Sequence, residues 1–138
     1  MKFEPEYFQK FGFETSQIKQ YYVSAKHDLE IAMKFSLADV TFKFSYDALI
    51  KLGITVIAKE GYKVRSNAGH HFKIIEKLAE ILDDENVAIV ANKMRQTRNF
   101  NLYDGGYLIS EKESREYLKF VNEVFYKVKR LLCGCRAR

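Results

Sequence analysis

Apolar residues recur along most of this chain at intervals of three and four, the spacing of one face of a helix. The first such segment begins near Thr15 or Ser16, either of which is a favourable N-cap. Its apolar stripe consists of Ile18, Tyr21, Tyr22, Ala25, Leu29, Ala32 and Met33. The last segment follows Ser110 and Glu113, whose spacing is that of a capping box. Its stripe consists of Tyr117, Val121, Val124, Phe125, Val128, Leu131 and Leu132.

Between them lies a segment that is apolar nearly all round, from a cap at Asp39 or Thr41 to about Lys59. A helix of this kind is a buried one. The run from Ile54 to Ile57 is β-branched, which is also typical of a strand. No second strand of comparable strength is present to pair with it, so the pattern predicts a helix.

Two further helices complete the pattern. A loop from Glu60 to Gly69 precedes a third helix, which runs from His70 or His71 to about Leu82. Asp83 and Asp84 then turn the chain and begin a fourth helix, which Gly105 and Gly106 end because glycine readily takes a positive φ. Five helices with short connections predict an all-α antiparallel bundle of four to five helices.

At 138 residues the chain is predicted to be one domain. Residues 1–16 contain the only proline and four phenylalanines, and they predict an irregular aromatic arm that docks on the domain or on a partner chain. Residues 133–138 form a basic tail. Apolar residues make up 47% of the chain, yet no run approaches the length of a membrane span and no signal-peptide pattern is present. The composition therefore predicts a cytoplasmic protein with no membrane association.

The cysteines and histidines, the residue types that most often bind metals, give little evidence of a metal site. Cys133 and Cys135 are too close for an unstrained disulfide and too few for a usual metal site, so both are predicted to be thiols. His70 and His71 are adjacent and would point about 100° apart on a helix, which disfavours chelation of one ion. A hydrogen-bonded helix start is the preferred interpretation. We predict neither a metal nor a cofactor.

The net charge of +5 is unevenly distributed. The chain after residue 126 carries five cations and no acid: Lys127, Lys129, Arg130, Arg136 and Arg138. Such a tail attracts polyanions, or it merely keeps the protein in solution.

The segment from Arg95 to Gly106 is the one place where two arginines, two asparagines, a tyrosine and an aspartate gather. On a helix, Arg98 lies at the edge of the apolar face formed by Val87, Val90, Ala91 and Met94. Arg95, Asn99 and Tyr103 continue round one side. One interpretation is a solvated helix end whose cations lie near the negative end of the helix dipole.

Arg98 and Asn99, followed after three residues by Tyr103 and Asp104, resemble the late-helix motif of the HEPN superfamily. That motif has an arginine, a polar residue, a short spacer and a histidine. Tyr103 stands in place of the histidine. The likeness runs more loosely from about Gln17 to Leu132, through these further elements in order: Ala25 to Ala32, Tyr46 to Leu49, Gly61-Tyr62 and His70-His71.

The resemblance implies a small helical homodimer, often encoded beside a minimal nucleotidyltransferase, whose active members cut RNA without a metal. Arg98 would then hold a phosphate and stabilise developing charge, and Arg98 and Tyr103 are the candidate catalytic residues. A tyrosine with an ordinary pKa near 10 stays protonated at neutral pH, so Tyr103 can donate a hydrogen bond or stack but is a poor base. The predicted nucleotide- or RNA-binding set is Arg95, Arg98, Asn99, Tyr103 and Asp104.

Three functions remain open. The preferred one is an HEPN-like RNA- or nucleotide-binding component of a toxin–antitoxin or defence module that is associated with a nucleotidyltransferase. The second is a metal-independent HEPN endoribonuclease toxin with an altered active site. The third is a non-catalytic structural dimer or adaptor. Loss of the motif histidine at Tyr103 favours the first over the second, and the arginines with the basic tail favour it over the third.

Overall fold

The computed structural model describes residues 1–103 and 109–134. The elements in chain order are β1 (Phe8–Lys10), α1 (Thr15–Lys34), α2 (Ala38–Lys59), β2 (Tyr62–Val64), α3 (His70–Leu82), α4 (Glu85–Tyr103) and α5 (Glu111–Leu132). Helix makes up 74% of the described structure, which confirms the prediction of an all-α bundle.

The helix boundaries follow local chemistry, with two corrections. Helix α5 begins as predicted, because Ser110 Oγ accepts from the Glu113 amide at 3.0 Å and the Glu113 carboxylate accepts from the Ser110 amide. Helix α1 begins at Thr15, but its N-cap is Glu14, which forms a capping box with Gln17. The predicted caps Thr15 and Ser16 were therefore wrong, by one and two positions respectively.

Neither predicted cap of α2 is correct. The helix begins at Ala38, and its N-cap, Leu37, makes no side-chain hydrogen bond. The Thr41 hydroxyl instead donates to the Phe35 carbonyl at 3.1 Å and so ties the start of α2 to the end of α1.

Helix α2 is the centre of the bundle and packs against α1, α5 and α3. Residues Ile54 to Ile57 are helical, which confirms the prediction of a helix instead of a strand. Its buried apolar side chains are Phe42, Tyr46, Ala48, Leu49, Ile50, Leu52, Val56, Ile57 and Ala58. At Gly53 the α2 backbone passes so close to α3 that an added Cβ would lie 2.4 Å from Ile74 Cγ2.

A two-stranded antiparallel sheet joins the N-terminal arm to the segment before α3, which the sequence predicted to be a plain loop. Phe8 of β1 lies opposite Val64 of β2, and Lys10 lies opposite Tyr62. The arm is therefore not irregular throughout. Strands of three residues are too short to show alternation, and these two are separated by the whole of α1 and α2.

The arm docks on its own domain, chiefly on α3. The Lys77 ammonium, in a side chain that is nearly fully buried, donates to the Lys2 carbonyl. Lys73 Nζ pairs with Glu4 at 3.0 Å, and Arg65 Nε donates to the Pro5 carbonyl at 2.9 Å. Of the two docking modes that the sequence left open, the structure has the intramolecular one.

Helix α4 lies at the edge of the bundle and packs mainly on α3. It runs to Tyr103, and the predicted glycine stop at Gly105 and Gly106 lies outside the described residues. Cys133 is an exposed thiol just after α5, whereas Cys135 is outside the description. None of the described helices combines the length and apolarity that a membrane span needs.

Candidate functional site

Tyr46 and His71 meet where the middle of α2 faces the first turn of α3. The Tyr46 ring is only 1% exposed, so its hydroxyl needs a partner inside the protein. That partner is Nδ1 of His71, at 2.9 Å from the hydroxyl oxygen. A residue from each helix is thereby fixed in place.

Burial determines the protonation of this pair. It raises the pKa of Tyr46 to about 12, so the phenol keeps its proton. Burial, together with the neighbouring His70 and Arg98, lowers the pKa of His71 to about 4. At neutral pH the Tyr46 hydroxyl therefore donates to Nδ1 of a neutral imidazole. The imidazole's own proton is then on Nε2.

Arg98 approaches the same tyrosine from α4. Its guanidinium carbon lies 5.6 Å from the centre of the Tyr46 ring, within the range of a cation–π contact. One turn earlier, the Arg95 guanidinium lies 5.4 Å from the centre of the Phe72 ring, and its Nε donates to Asn92 Oδ1 at 3.1 Å. Among the described residues, neither arginine forms an ion pair with a carboxylate.

We call Tyr46, His71, Arg95 and Arg98 the arginine–histidine cluster. Both arginines are partly exposed, and the adjoining Phe72 ring is 41% exposed. Guanidinium groups bind phosphate and carboxylate through paired charge-assisted hydrogen bonds. The cluster can thus bind an anion, and the exposed ring beside it can contact an aromatic or apolar part of the same ligand.

The charge along the α3–α4 surface changes sign before it reaches this cluster. An open groove between the two helices is lined by Phe72 and Asn92 at one end. The rest of its lining includes five acids: Glu76, Glu80, Asp83, Asp84 and Glu85. Among the described residues, lysines pair with Glu76, Glu80 and Asp84, which leaves Asp83 and Glu85 to repel an anion there, and the arginine end attracts one.

The structure brings together only part of the predicted site. Arg95 and Arg98 belong to the cluster, and Asn99 is partly buried on the same helix. Tyr103 ends α4, but its side chain and Asp104 lie outside what the structure describes. The predicted pairing of Arg98 with Tyr103 therefore stays a prediction.

Sequence reasoning did not assign Tyr46 or His71 to the site. Tyr46 lay in the segment that is apolar nearly all round, and both histidines were assigned to a hydrogen-bonded helix start. Both are hydrogen-bonded there, since His70 Nδ1 lies 2.9 Å from the Asn67 carbonyl and His71 Nδ1 lies 2.9 Å from the Tyr46 hydroxyl. No sequence signal couples His71 to Tyr46, because their contact joins two helices. The described residues contain no group of side chains suited to a metal ion.

Comparisons of this chain with protein-family models, curated proteins and solved structures find no match. The chemical role of the arginine–histidine cluster is therefore inferred from its own geometry.

Proposed function

We propose that this protein is an HEPN-like helical module that binds the phosphate groups of RNA or of a nucleotide through Arg98 and Arg95. The observation that carries the proposal is the placement of Arg98. Its guanidinium lies on the Tyr46 ring and has no carboxylate partner within the described residues. An arginine with a purely structural role usually pairs with an acid. Arg98 has no such partner among the described residues, so its charge is available to bind a ligand.

Two features, one beside the cluster and one in the sequence, support a nucleotide or RNA over a simple anion. Phe72 offers a partly exposed aromatic face beside Arg95, and bases stack on such faces. The basic residues after Arg130 would add sequence-independent attraction for a polyanion. A free nucleotide and an RNA strand share this chemistry, so both are probes in the experiment.

The test is Arg98→Ala, with binding measured by fluorescence anisotropy on a labelled single-stranded RNA and on labelled AMP. We expect at least about a ten-fold loss of affinity, because a charge-assisted contact contributes about 1.5–3 kcal/mol. Loss of the contact with Tyr46 should cost the fold only about 1 kcal/mol. Lys93→Ala is the matched control, since it removes one exposed cation from the same helix. It should change affinity far less.

Two other outcomes would replace this proposal with one of its alternatives. RNA that is cut by the wild-type protein but not by Arg98→Ala would indicate a metal-independent ribonuclease. An Arg98→Ala variant that unfolds, while the wild-type protein binds neither probe, would assign the arginine to a structural dimer or adaptor.

The proposal includes a setting for this activity. We propose a cytoplasmic homodimer that works beside a minimal nucleotidyltransferase in a toxin–antitoxin or defence module. The HEPN resemblance around Arg98 and Asn99 is the basis for the partner, and co-purification of such an enzyme with the tagged protein would test it.

A further inference from the structure

His71 has one ring nitrogen engaged and one available. Nδ1 is taken by the Tyr46 hydroxyl, which fixes the proton of the neutral ring on Nε2. In the part of the chain that the structure describes, Nε2 has no hydrogen-bond partner. His71 is only partly buried, so this N–H group is not sealed inside the core.

The Tyr46 side chain places His71 beside the arginines. Its hydroxyl contacts the imidazole, and its ring faces the Arg98 guanidinium. Two donor groups from α3 and α4 thus rest on one buried side chain of α2. Arg98 also lowers the pKa of His71, so the guanidinium and the imidazole lie within electrostatic reach of each other.

We infer that His71 is a third phosphate-binding group of the Arg95–Arg98 site, and that a phosphate binds there together with a proton taken up by the imidazole. The inference rests on the proposed function and adds a residue and a pH dependence to it. In the free protein, the neutral His71 ring is a hydrogen-bond donor through Nε2. In the complex the ring is protonated at both nitrogens, so Nδ1 donates to the Tyr46 hydroxyl oxygen, which changes from donor to acceptor, and Nε2 donates to the phosphate.

The charges around His71 give the reason for the proton uptake. From α2 the ring faces Tyr46 and Asp47, from α3 His70, and from α4 Arg95 and Arg98. Burial is the largest obstacle to a positive charge on the ring, followed by His70 and Arg98, whereas Asp47 favours the charge and Arg95 opposes it least. A bound phosphate brings negative charge that offsets the arginines, and so it favours protonation.

The sign of the pH dependence follows from linkage. The pKa of His71 is about 4 in the free protein and is raised in the complex. Between those two values the complex holds more protons than the free protein, so affinity rises as the pH falls through that window. The slope reaches at most about ten-fold per pH unit, the limit for uptake of one proton.

The experiment measures binding of a short 2′-O-methyl oligouridylate by calorimetry from about pH 5 to 8, within the range of His titration. A phosphodiester and a uracil ring do not titrate in this range, and the 2′-O-methyl group prevents self-cleavage. Two buffers with different ionisation enthalpies report the proton uptake directly. We expect wild-type affinity to rise toward low pH with measurable uptake.

His71→Gln should bind with an affinity close to that of wild type at the high end of the range, because the amide is still a neutral donor. It should show neither the pH dependence nor the proton uptake. The matched control is His70→Gln, which should keep both, with the pH window moved upward because His70 no longer opposes the charge on His71. Equal pH dependence in the wild-type protein and in His71→Gln would overturn the inference.

A measurement on the wild-type protein avoids dependence on a variant that fails to fold. The Cε1 proton of His71 should titrate at low pH in the free protein and at a clearly higher pH with the oligouridylate bound. An unmoved His71 titration in a protein that binds the probe would overturn the inference and leave the proposed function intact. Absence of binding at every pH would overturn both.

Discussion

The arginine–histidine cluster depends on a hydroxyl and a ring nitrogen contributed by two different helices. Tyr46 is in the core because its ring is apolar, and its hydroxyl then requires a partner. His71 meets that requirement and becomes partly buried as a result, which lowers its pKa to about 4. A contact made for the fold thus also sets the charge of a residue beside the proposed site.

At the residue scale, this pKa predicts how stability depends on pH. An unfolded histidine has a pKa near 6.5, so below that pH the unfolded chain takes up a proton before the folded one does. We expect the free energy of unfolding to fall, on the order of 2 kcal/mol, as the pH drops from about 6.5 to about 4. Urea titrations across this range measure it.

His71→Gln removes the titrating group and should flatten that part of the stability curve. His27→Gln is the control, because it removes a histidine that is exposed on α1. Glu4 and Asp84, whose pKa values are lowered by hydrogen bonds from Lys73 and Lys127, act in a separate window. Their contribution is lost only as the pH falls below their unfolded values near 4.5 and 3.8. A wild-type slope unchanged by His71→Gln would contradict the prediction.

At the scale of elements, the close passage of α2 over α3 fixes where His71 lies relative to Tyr46. Gly53 makes this passage possible, because any side chain at that position would overlap Ile74 Cγ2. Ile74 is buried and its branched Cβ makes it stiff, so it has little room to yield.

Gly53→Ala is therefore expected to destabilise the protein, although alanine favours helix by about 1 kcal/mol. Overpacking costs about 1–3 kcal/mol, so we expect a net loss on the order of 1 kcal/mol in urea unfolding. Gly12→Ala is the control, since an added Cβ there meets nothing within 4 Å. The double variant Gly53→Ala/Ile74→Ala has no such clash. Its loss of stability should therefore be smaller than the sum of the losses in the two single variants. A stabilised Gly53→Ala protein would refute the argument.

At the scale of the whole molecule, the position of the N-terminal arm removes one of the reasons for predicting a dimer. The arm covers α3 of its own chain through β1 and the Lys77 contact, so its phenylalanines are no longer evidence for a partner chain. Helix α4 packs mainly on α3 and carries Ile89 with 67% of its surface exposed. Single exposed apolar residues are common on monomers, so Ile89 marks only a position at which the proposed dimer can be tested.

For the proposed dimer we expect light scattering at micromolar concentration to report twice the 16.2 kDa chain mass. Ile89→Glu should shift the mass to that of a single chain, because an unpaired charge would be buried at the interface. Val23→Glu is the matched control on α1, where a β-branched side chain is 49% exposed. A wild-type protein with the mass of one chain would rule out the dimer. If Val23→Glu dissociates the dimer and Ile89→Glu does not, the interface lies on α1 instead of α4.

The sequence by itself determined the helices of this protein, because helix formation depends on neighbours three and four residues apart. The stripes of α1 and α5, the Ser110 capping box and the buried character of α2 are all local signals. They predicted the fold class and most boundaries to within one or two residues. They also identified Arg95 and Arg98 as the cations beside an apolar face.

Only the tertiary structure decided what those arginines face. Tyr46 and His71 are 25 residues apart, and no pattern in the chain couples them. The two short strands were missed for the same reason, since β1 finds its partner only after α1 and α2 have packed. Burial, hydrogen bonding and lowered pKa values arise from contacts between elements. They therefore became visible only when α2, α3 and α4 were placed side by side.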